Sequence, residues 1–378
     1  NTGFHERTSK LTRNFVDARG YWLPNDFTKH GVINEYTACR EKAVLIDLSS
    51  LRKFEILGPD AEELMDYTLT RNVKKLSVGQ IVYSAMCYEN GSMFDDGTLL
   101  KMSDHGFRWV CGDEYAGEWL KEQAKKKNFN VLVKNSTDQI NNISLQGPNS
   151  RKILEKFIFT PPTQPSISEL QWFRFTICRV KELSGIPLMV SRTGYTGELG
   201  YEIWCHPSDA PAVWDVLMEA GKEEGLIPAG FGALDLLRIE AGLILFGNEF
   251  DGQVDPFEAG VGFTVPLKTK TANFIGKEAL IKRKENPQKK LVGLELVGKE
   301  KANHGDCVHI GRSQVGVITS GCLSPTLNKN IALCRIDVGH SEIGMNVEVG
   351  KIDGHQKRIP AKIVGFPHYD PQKTRVKS

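Results

Sequence analysis

The sequence predicts an α+β protein: a long mixed region followed by an all-β C-terminal unit. Three observations carry this. Strand and helix signals alternate to about residue 285, two early segments share one strand–Gly-Pro–helix grammar, and from Lys290 the signals are almost entirely strand-like. A length of 378 residues fits two or three domains.

The elements follow in order. Phe54-Glu-Ile-Leu-Gly-Pro-Asp60 reads as a strand, a break and a helix opened by Asp60, with Glu63 placed for a capping box. Strands are expected at Gln80–Cys87 and Phe107–Cys111. Ile143-Ser-Leu-Gln-Gly-Pro-Asn-Ser repeats the first grammar, which suggests duplicated α+β substructures. Strands follow at Leu188–Ser191 and Gly200–Cys205. Ser208 to Glu224 places Ala212, Val213, Val216, Leu217 and Ala220 on one helical stripe and stops at Gly225. Leu234 to Leu243 and Gly276 to Lys284 also have helical spacing. The runs Leu291–Val297, Cys307–Ile310, Gln314–Thr319, Ile331–Ile336, Val347–Val349 and Ile359–Ile363 are the signal for a barrel or sandwich. The expected division is 1–285 and 286–378.

Composition narrows the function. Hydrophobic residues at 40%, charged residues at 25% and a net charge of +2 describe an ordinary globular chain with no electrostatic footprint for nucleic acid or membrane. The basic stretches Lys121–Lys127 and Lys282–Lys290 lie in mixed-charge, helix-like runs and read as solvated faces. No apolar run reaches the roughly 18 residues of a membrane helix, and the first residues lack the apolar core of a secretory signal. Eight singly placed cysteines, with no C-x-x-C, fit reduced thiols and a cytoplasmic location. Phosphate-loop, H-E-x-x-H and nucleophile-elbow motifs are missing. His304, Cys307 and His309 are too few to form a zinc site, so no metal is expected.

Three segments can carry chemistry. In Tyr83 to Thr98 the adjacent acids Asp95 and Asp96 point to opposite strand faces, so only one enters a given pocket. An acid beside apolar residues has its charged form disfavoured, which tunes it for proton transfer near neutral pH; the pair also reads as a solvated turn. In Ser191-Arg-Thr-Gly-Tyr195-Thr-Gly-Glu-Leu-Gly-Tyr-Glu202, three glycines permit close ligand approach and Tyr195 offers a stacking surface. Glu202, among apolar neighbours, can accept two hydrogen bonds from an amidine-like edge such as that of a pterin; a tight hairpin with one exposed Glu is the other reading. Asp235, Arg238 and Glu240, on an apolar helix, read as structural ion pairs.

Together these segments resemble the T-protein of the glycine cleavage system, the aminomethyltransferase family. The resemblance is carried by Ser191–Glu202 (SRTGYTGELGYE), Gly230–Gly242 (GFGALDLLRIEAG) and Gly247–Pro256 (GNEFDGQVDP). It continues in Tyr83–Asp96, Phe274–Leu280 and Ile318–Ala332, in one order along most of the chain. It implies a three-domain cloverleaf, with two interleaved α+β lobes and a C-terminal β-barrel-like domain around a folate-sized channel. It implies tetrahydrofolate as cofactor, Asp96 as the catalytic acid, Glu202 on the pterin edge, and Tyr83, Tyr195 and Trp172 as aromatic contacts. Arg375 would meet folate's acidic tail. The implied reaction passes an aminomethyl carbon from a lipoylated carrier protein to tetrahydrofolate, with release of ammonia.

The resemblance departs at three positions. Ser50, Gly112 and Leu234 stand where the family has histidine, asparagine and arginine. These departures mostly concern the cavity wall and entrance, although the resemblance implies that the amide lost at 112 touches the pterin, and they leave Asp96 and Glu202 intact. They favour an alternative donor, a small N-, S- or O-methylated compound demethylated onto tetrahydrofolate. A non-enzymatic folate-binding factor, akin to the iron–sulfur assembly relatives, is a third reading. Those relatives carry a cysteine motif after the glycine-ending helix, where this chain has Leu245-Phe-Gly-Asn-Glu-Phe.

Overall fold

The computed structural model covers residues 1–378 and consists of a small hairpin, two sheet-and-helix lobes and a closed barrel. The lobes are interleaved. Strand Ala43–Asp47 opens a seven-stranded sheet, but the chain then leaves it to build a five-stranded sheet from Arg52–Leu57 through Leu132–Asn135. It returns with Asn141–Gln146, which pairs antiparallel with Ala43–Asp47. The expected three-lobed α+β plan is therefore observed.

Each lobe closes over its own apolar core. Helices Ser150–Glu155 and Ala210–Gly221 supply Ile153, Leu154, Val213 and Leu217 to the larger sheet, packed with Leu145, Val190 and Ile203. Helices Ala61–Thr68 and Tyr115–Lys127 supply Leu64, Met65, Trp119 and Leu120 to the smaller sheet, against Ile56, Phe107 and Trp109. The two Gly-Pro breaks thus start equivalent helices in different lobes. The predicted helix 208–224 is shorter, Ala210–Gly221, because a 3-10 turn at Pro207–Asp209 precedes it. The helix expected at 234–243 begins earlier, at Phe231, and ends at Glu240.

One expected cap is absent. Asp60 is the N-cap, but its carboxylate accepts from the Asn130 amide at 2.6 Å and makes no capping bond. Glu63 instead pairs with Lys74 at 2.5 Å. A tertiary partner has replaced the local one.

The C-terminal strands settle the barrel-or-sandwich choice. Lys289–Leu296, Lys329–Asp337, Ser313–Ser324, Cys307–Ile310, Asn346–Gly350 and Arg358–Val364 follow one another around a closed barrel. The first and last pair, with Gly293 opposite Val364. Alternate residues such as Leu294, Ile318, Cys334 and Ile363 fill its interior. Helix Phe231–Glu240 joins this barrel to the lobes. Ala233 and Leu237 pack with Val44 and Ile46, while Ile239 packs with Cys322 and Ile331. Arg238, 2% exposed, bonds Asp235 at 2.8 Å, Glu249 at 3.0 Å and Ser320 of the barrel at 2.9 Å. The ion pair expected on this helix is thus also an inter-domain tie.

Candidate active site

Asp95 and Asp96 lie on strand Met93–Ser103 and, as neighbours on a strand, turn to opposite faces. Asp95 is buried and fully used by backbone: it accepts from the amides of Asp96 at 2.9 Å, Gly112 at 3.3 Å and Asp113 at 3.1 Å. It anchors the turn after Gly106–Cys111. Burial, reinforced by the Asp96 charge, still pushes its carboxyl up to about 7.

Asp96 is half-buried and has one side-chain partner, the Tyr83 hydroxyl, which donates to Oδ2 at 2.7 Å. Burial raises its pKa to about 6, against the opposing effects of the Tyr83 bond and the Arg19 charge. Oδ1 is left without a hydrogen-bond donor, so Asp96 is an acid that can hold or release a proton at that atom near neutrality. Gly97 is required beside it. A Cβ there would lie 2.3 Å from the Val110 carbonyl oxygen on the adjacent strand.

Tyr195 belongs to the same neighbourhood. Its hydroxyl donates to the Ile244 carbonyl at 2.5 Å, and its ring packs against the apolar cluster containing Leu234. Burial raises its pKa, with the Asp96 charge adding to the rise. Leu234 therefore places apolar surface where the family carries a cation. Ser50, at the second departure, is buried and its hydroxyl has no partner.

Glu202 sits on strand Gly200–Cys205 opposite Ser191 and Ser144. Thr193 donates to Oε2 at 2.5 Å and Asn142 Nδ2 to Oε1 at 3.1 Å. Burial raises its pKa, while these two bonds and Lys53 oppose the rise. The Asn142 amide oxygen is buried without a partner. A carboxylate with spare lone pairs beside an orphaned amide oxygen is an acceptor set, which suits a ligand edge made of N–H donors. A pterin has such an edge, so the residues present fit the folate expectation.

Lys53, Asn142, Thr193 and Arg19 were not singled out from sequence. Lys53 is fully buried, its ammonium donating to the carbonyls of Ser49 and Leu51, both at 2.9 Å. Burial lowers it to about 7, although Asp47 and Glu202 pull the other way. Strand register could have found Asn142. It pairs with Trp204, two residues from Glu202 on the same face. Lys53 and Arg19 had no local signal.

Trp172 and Arg375 have partners of their own within the protein. The Trp172 ring stands edge-on to Phe173 at 5.1 Å, with the Lys377 ammonium 5.4 Å from its centroid. Arg375 bonds Glu198 through Nε at 2.7 and 3.0 Å and the Arg40 carbonyl through Nη2 at 2.6 Å. Arg40 in turn pairs with Glu198 at 3.2 Å and Glu240 at 2.7 Å. Arg375 is thus held in a structural ion-pair network, and its Nη1 donates to no protein atom.

The three-lobed plan with a terminal barrel is that of glycine cleavage T-proteins. The crystal structure of the glycine cleavage system aminomethyltransferase T from Bartonella henselae superposes with a TM-score of 0.86 at 25% identity, over 98% of each chain. Residues 4–269 match the GCVT N-terminal domain and residues 289–370 the glycine cleavage T-protein C-terminal barrel domain. An aminomethyltransferase of Symbiobacterium thermophilum is 39% identical over 97% of this chain and 96% of its own length. A trimethylamine-oxide aldolase of Ruegeria pomeroyi is 57% identical over all of this chain, which spans about half (48%) of that relative. The chain belongs to the glycine cleavage T-protein (aminomethyltransferase) family.

Proposed function

We propose that this protein is a tetrahydrofolate-dependent one-carbon transferase. The observation that carries the reading is the pairing of two unlike carboxyl sites. Glu202 is an acceptor fixed by Thr193 and Asn142, and Asp96 is a proton-exchanging acid oriented by Tyr83. Bound tetrahydrofolate would supply a nucleophilic nitrogen to receive the one-carbon unit. Glu202 and the Asn142 oxygen bind the N–H edge of the pterin. Tyr195 and Tyr83 give flat walls, and Trp172 a further aromatic surface. Asp96 holds or gives up a proton at Oδ1 where the carbon is delivered. Fixing donor and acceptor in one geometry supplies much of the rate gain.

The family's donor is a lipoyl-bound aminomethyl group on a carrier protein. A small N-methylated donor is the second reading, and two observations favour it. Ser50, Gly112 and Leu234 stand where the family resemblance implies histidine, asparagine and arginine, and the 57% identical relative is named for trimethylamine oxide. Turnover with the carrier bearing an aminomethyl-lipoyl group and with trimethylamine N-oxide, each with tetrahydrofolate, decides between them. Ammonia release with the carrier alone supports the first donor, and dimethylamine release with the N-oxide alone the second. Eight free thiols, seven of them buried, support a reducing, cytoplasmic location. No helix is long and apolar enough to cross a membrane.

A further inference from the structure

The first hairpin pairs Phe15–Ala18 with Tyr21–Pro24, so Arg19 and Gly20 are its two turn residues. Both have positive φ, 56° and 83°, as a two-residue turn of this kind requires. Glycine takes that conformation freely, but for arginine it is strained. The turn is nonetheless tied down. Asp17 accepts from the Gly20 amide at 2.8 Å, and Arg52 donates to the Arg19 carbonyl at 2.9 Å.

The tip reaches the five-stranded lobe at Gly112, one of the three positions where the chain departs from its family. Arg19 Nε donates to the Gly112 carbonyl at 2.8 Å. A Cβ on Gly112 would lie 3.4 Å from Arg19 Nη2 and 3.5 Å from Asp95 Oδ1. The guanidinium therefore lies in contact with the position a Cβ at 112 would take, beside the acid pair. Its charge reaches Asp96 and lowers that group's pKa. Nη1 and Nη2 nevertheless donate to no protein atom, and neither carboxylate forms an ion pair with them. Lys53 and Arg238, by contrast, are spent, the first on two carbonyls and the second on Asp235, Glu249 and Ser320.

We propose that Arg19 is a ligand-binding residue whose free Nη donors hold the carbonyl oxygen at C4 of the pterin ring. This rests on the tetrahydrofolate reading. Glu202 accepts from the N3–H and 2-amino donors. The next atom along that edge is the C4 oxygen, an acceptor, followed by N5, where Asp96 works. A carboxylate, a guanidinium and an acid together supply the acceptor, donor and proton-exchanging group that this sequence of ring-edge atoms calls for. Gly112 has no side chain to offer the ring, and Arg19 brings a polar group to the same place from a different element of the fold.

The test is equilibrium binding of tetrahydrofolate and of its 4-amino-4-deoxy analogue, in which the acceptor oxygen becomes a donor. Arg19→Asn is the main variant, because asparagine tolerates the left-handed turn. Arg19→Gln is the second, should the first disturb the hairpin by its thermal melt. The wild type should favour tetrahydrofolate over the analogue. The variants should bind tetrahydrofolate about tenfold more weakly, the loss expected for one charge-assisted hydrogen bond, with analogue binding unchanged or tighter. The share of discrimination due to Glu202 is common to all proteins and cancels in the comparison. If tetrahydrofolate binds and Glu202→Ala abolishes it, but the variants keep the wild-type preference, the assignment of Arg19 is wrong and the folate reading stands. If the wild type binds no folate, both fall.

Discussion

The Tyr83 hydroxyl donates to Asp96 Oδ2 at 2.7 Å across two adjacent antiparallel strands, Ile81–Cys87 and Met93–Ser103. This bond favours the charged acid and partly offsets the burial that raises Asp96 to about 6. Tyr83→Phe removes it. A hydrogen bond to a charged group is worth about 1.5–3 kcal/mol, and one pKa unit is about 1.4 kcal/mol. The Asp96 limb of the pH–rate profile should therefore move up by roughly one unit. Asp96→Asn should abolish that limb while leaving folate binding in place. A limb near pH 6 that persists in Asp96→Asn assigns the titration to another group.

Lys53 makes stability depend on pH. Its folded pKa, about 7, lies below the usual lysine value, so between the two the unfolded chain binds the extra proton. Its contribution to stability is therefore smallest below pH 7 and rises with pH until the unfolded lysine has also lost its proton. Lys53→Met should flatten this rise in urea melts taken from pH 7 to 10. The substitution should also cost about 1–3 kcal/mol at high pH, because the Ser49 and Leu51 carbonyls lose their donor. An unchanged pH slope would show that Lys53 is not the titrating group.

Gly97 tests how closely the strands behind Asp96 must approach. Gly97→Ala places a methyl 2.3 Å from a backbone oxygen that cannot rotate away. The expected result is a loss of about 1–3 kcal/mol in stability, the range for overpacking, with turnover reduced further than folate affinity. Wild-type stability and activity would mean that the two strands slide without consequence.

The Arg40 network is the least forgiving structural element. Glu240→Ala leaves Arg40 buried with Glu198 as its one carboxylate partner, and breaking a buried pair costs about 3–5 kcal/mol. Thermal unfolding should report a Tm lowered by several degrees, while Glu6→Ala, at an exposed pair, should leave it unchanged.

Which of these features the sequence revealed follows from how local their causes are. The opposite facing of Asp95 and Asp96 follows from the two-residue strand period, and the barrel strands follow from runs of alternating residues. The ends of the Phe231–Glu240 helix and the role of Asp60 depended on distant partners. Asp60 caps nothing because Asn130, seventy residues on, takes its carboxylate. Arg375 showed a cation but not its partner, since Glu198 lies 177 residues away. Arg19 gave no signal at all. Its position becomes informative only when the hairpin tip is seen against Gly112, 93 residues on.

The most direct test of the central claim is equilibrium binding of tetrahydrofolate to the wild type and to Glu202→Ala at neutral pH. Tight binding by the wild type and a loss of at least about tenfold in the variant is the predicted result, since a charged acceptor facing two donors is removed. Equal affinity of the two proteins would contradict the account.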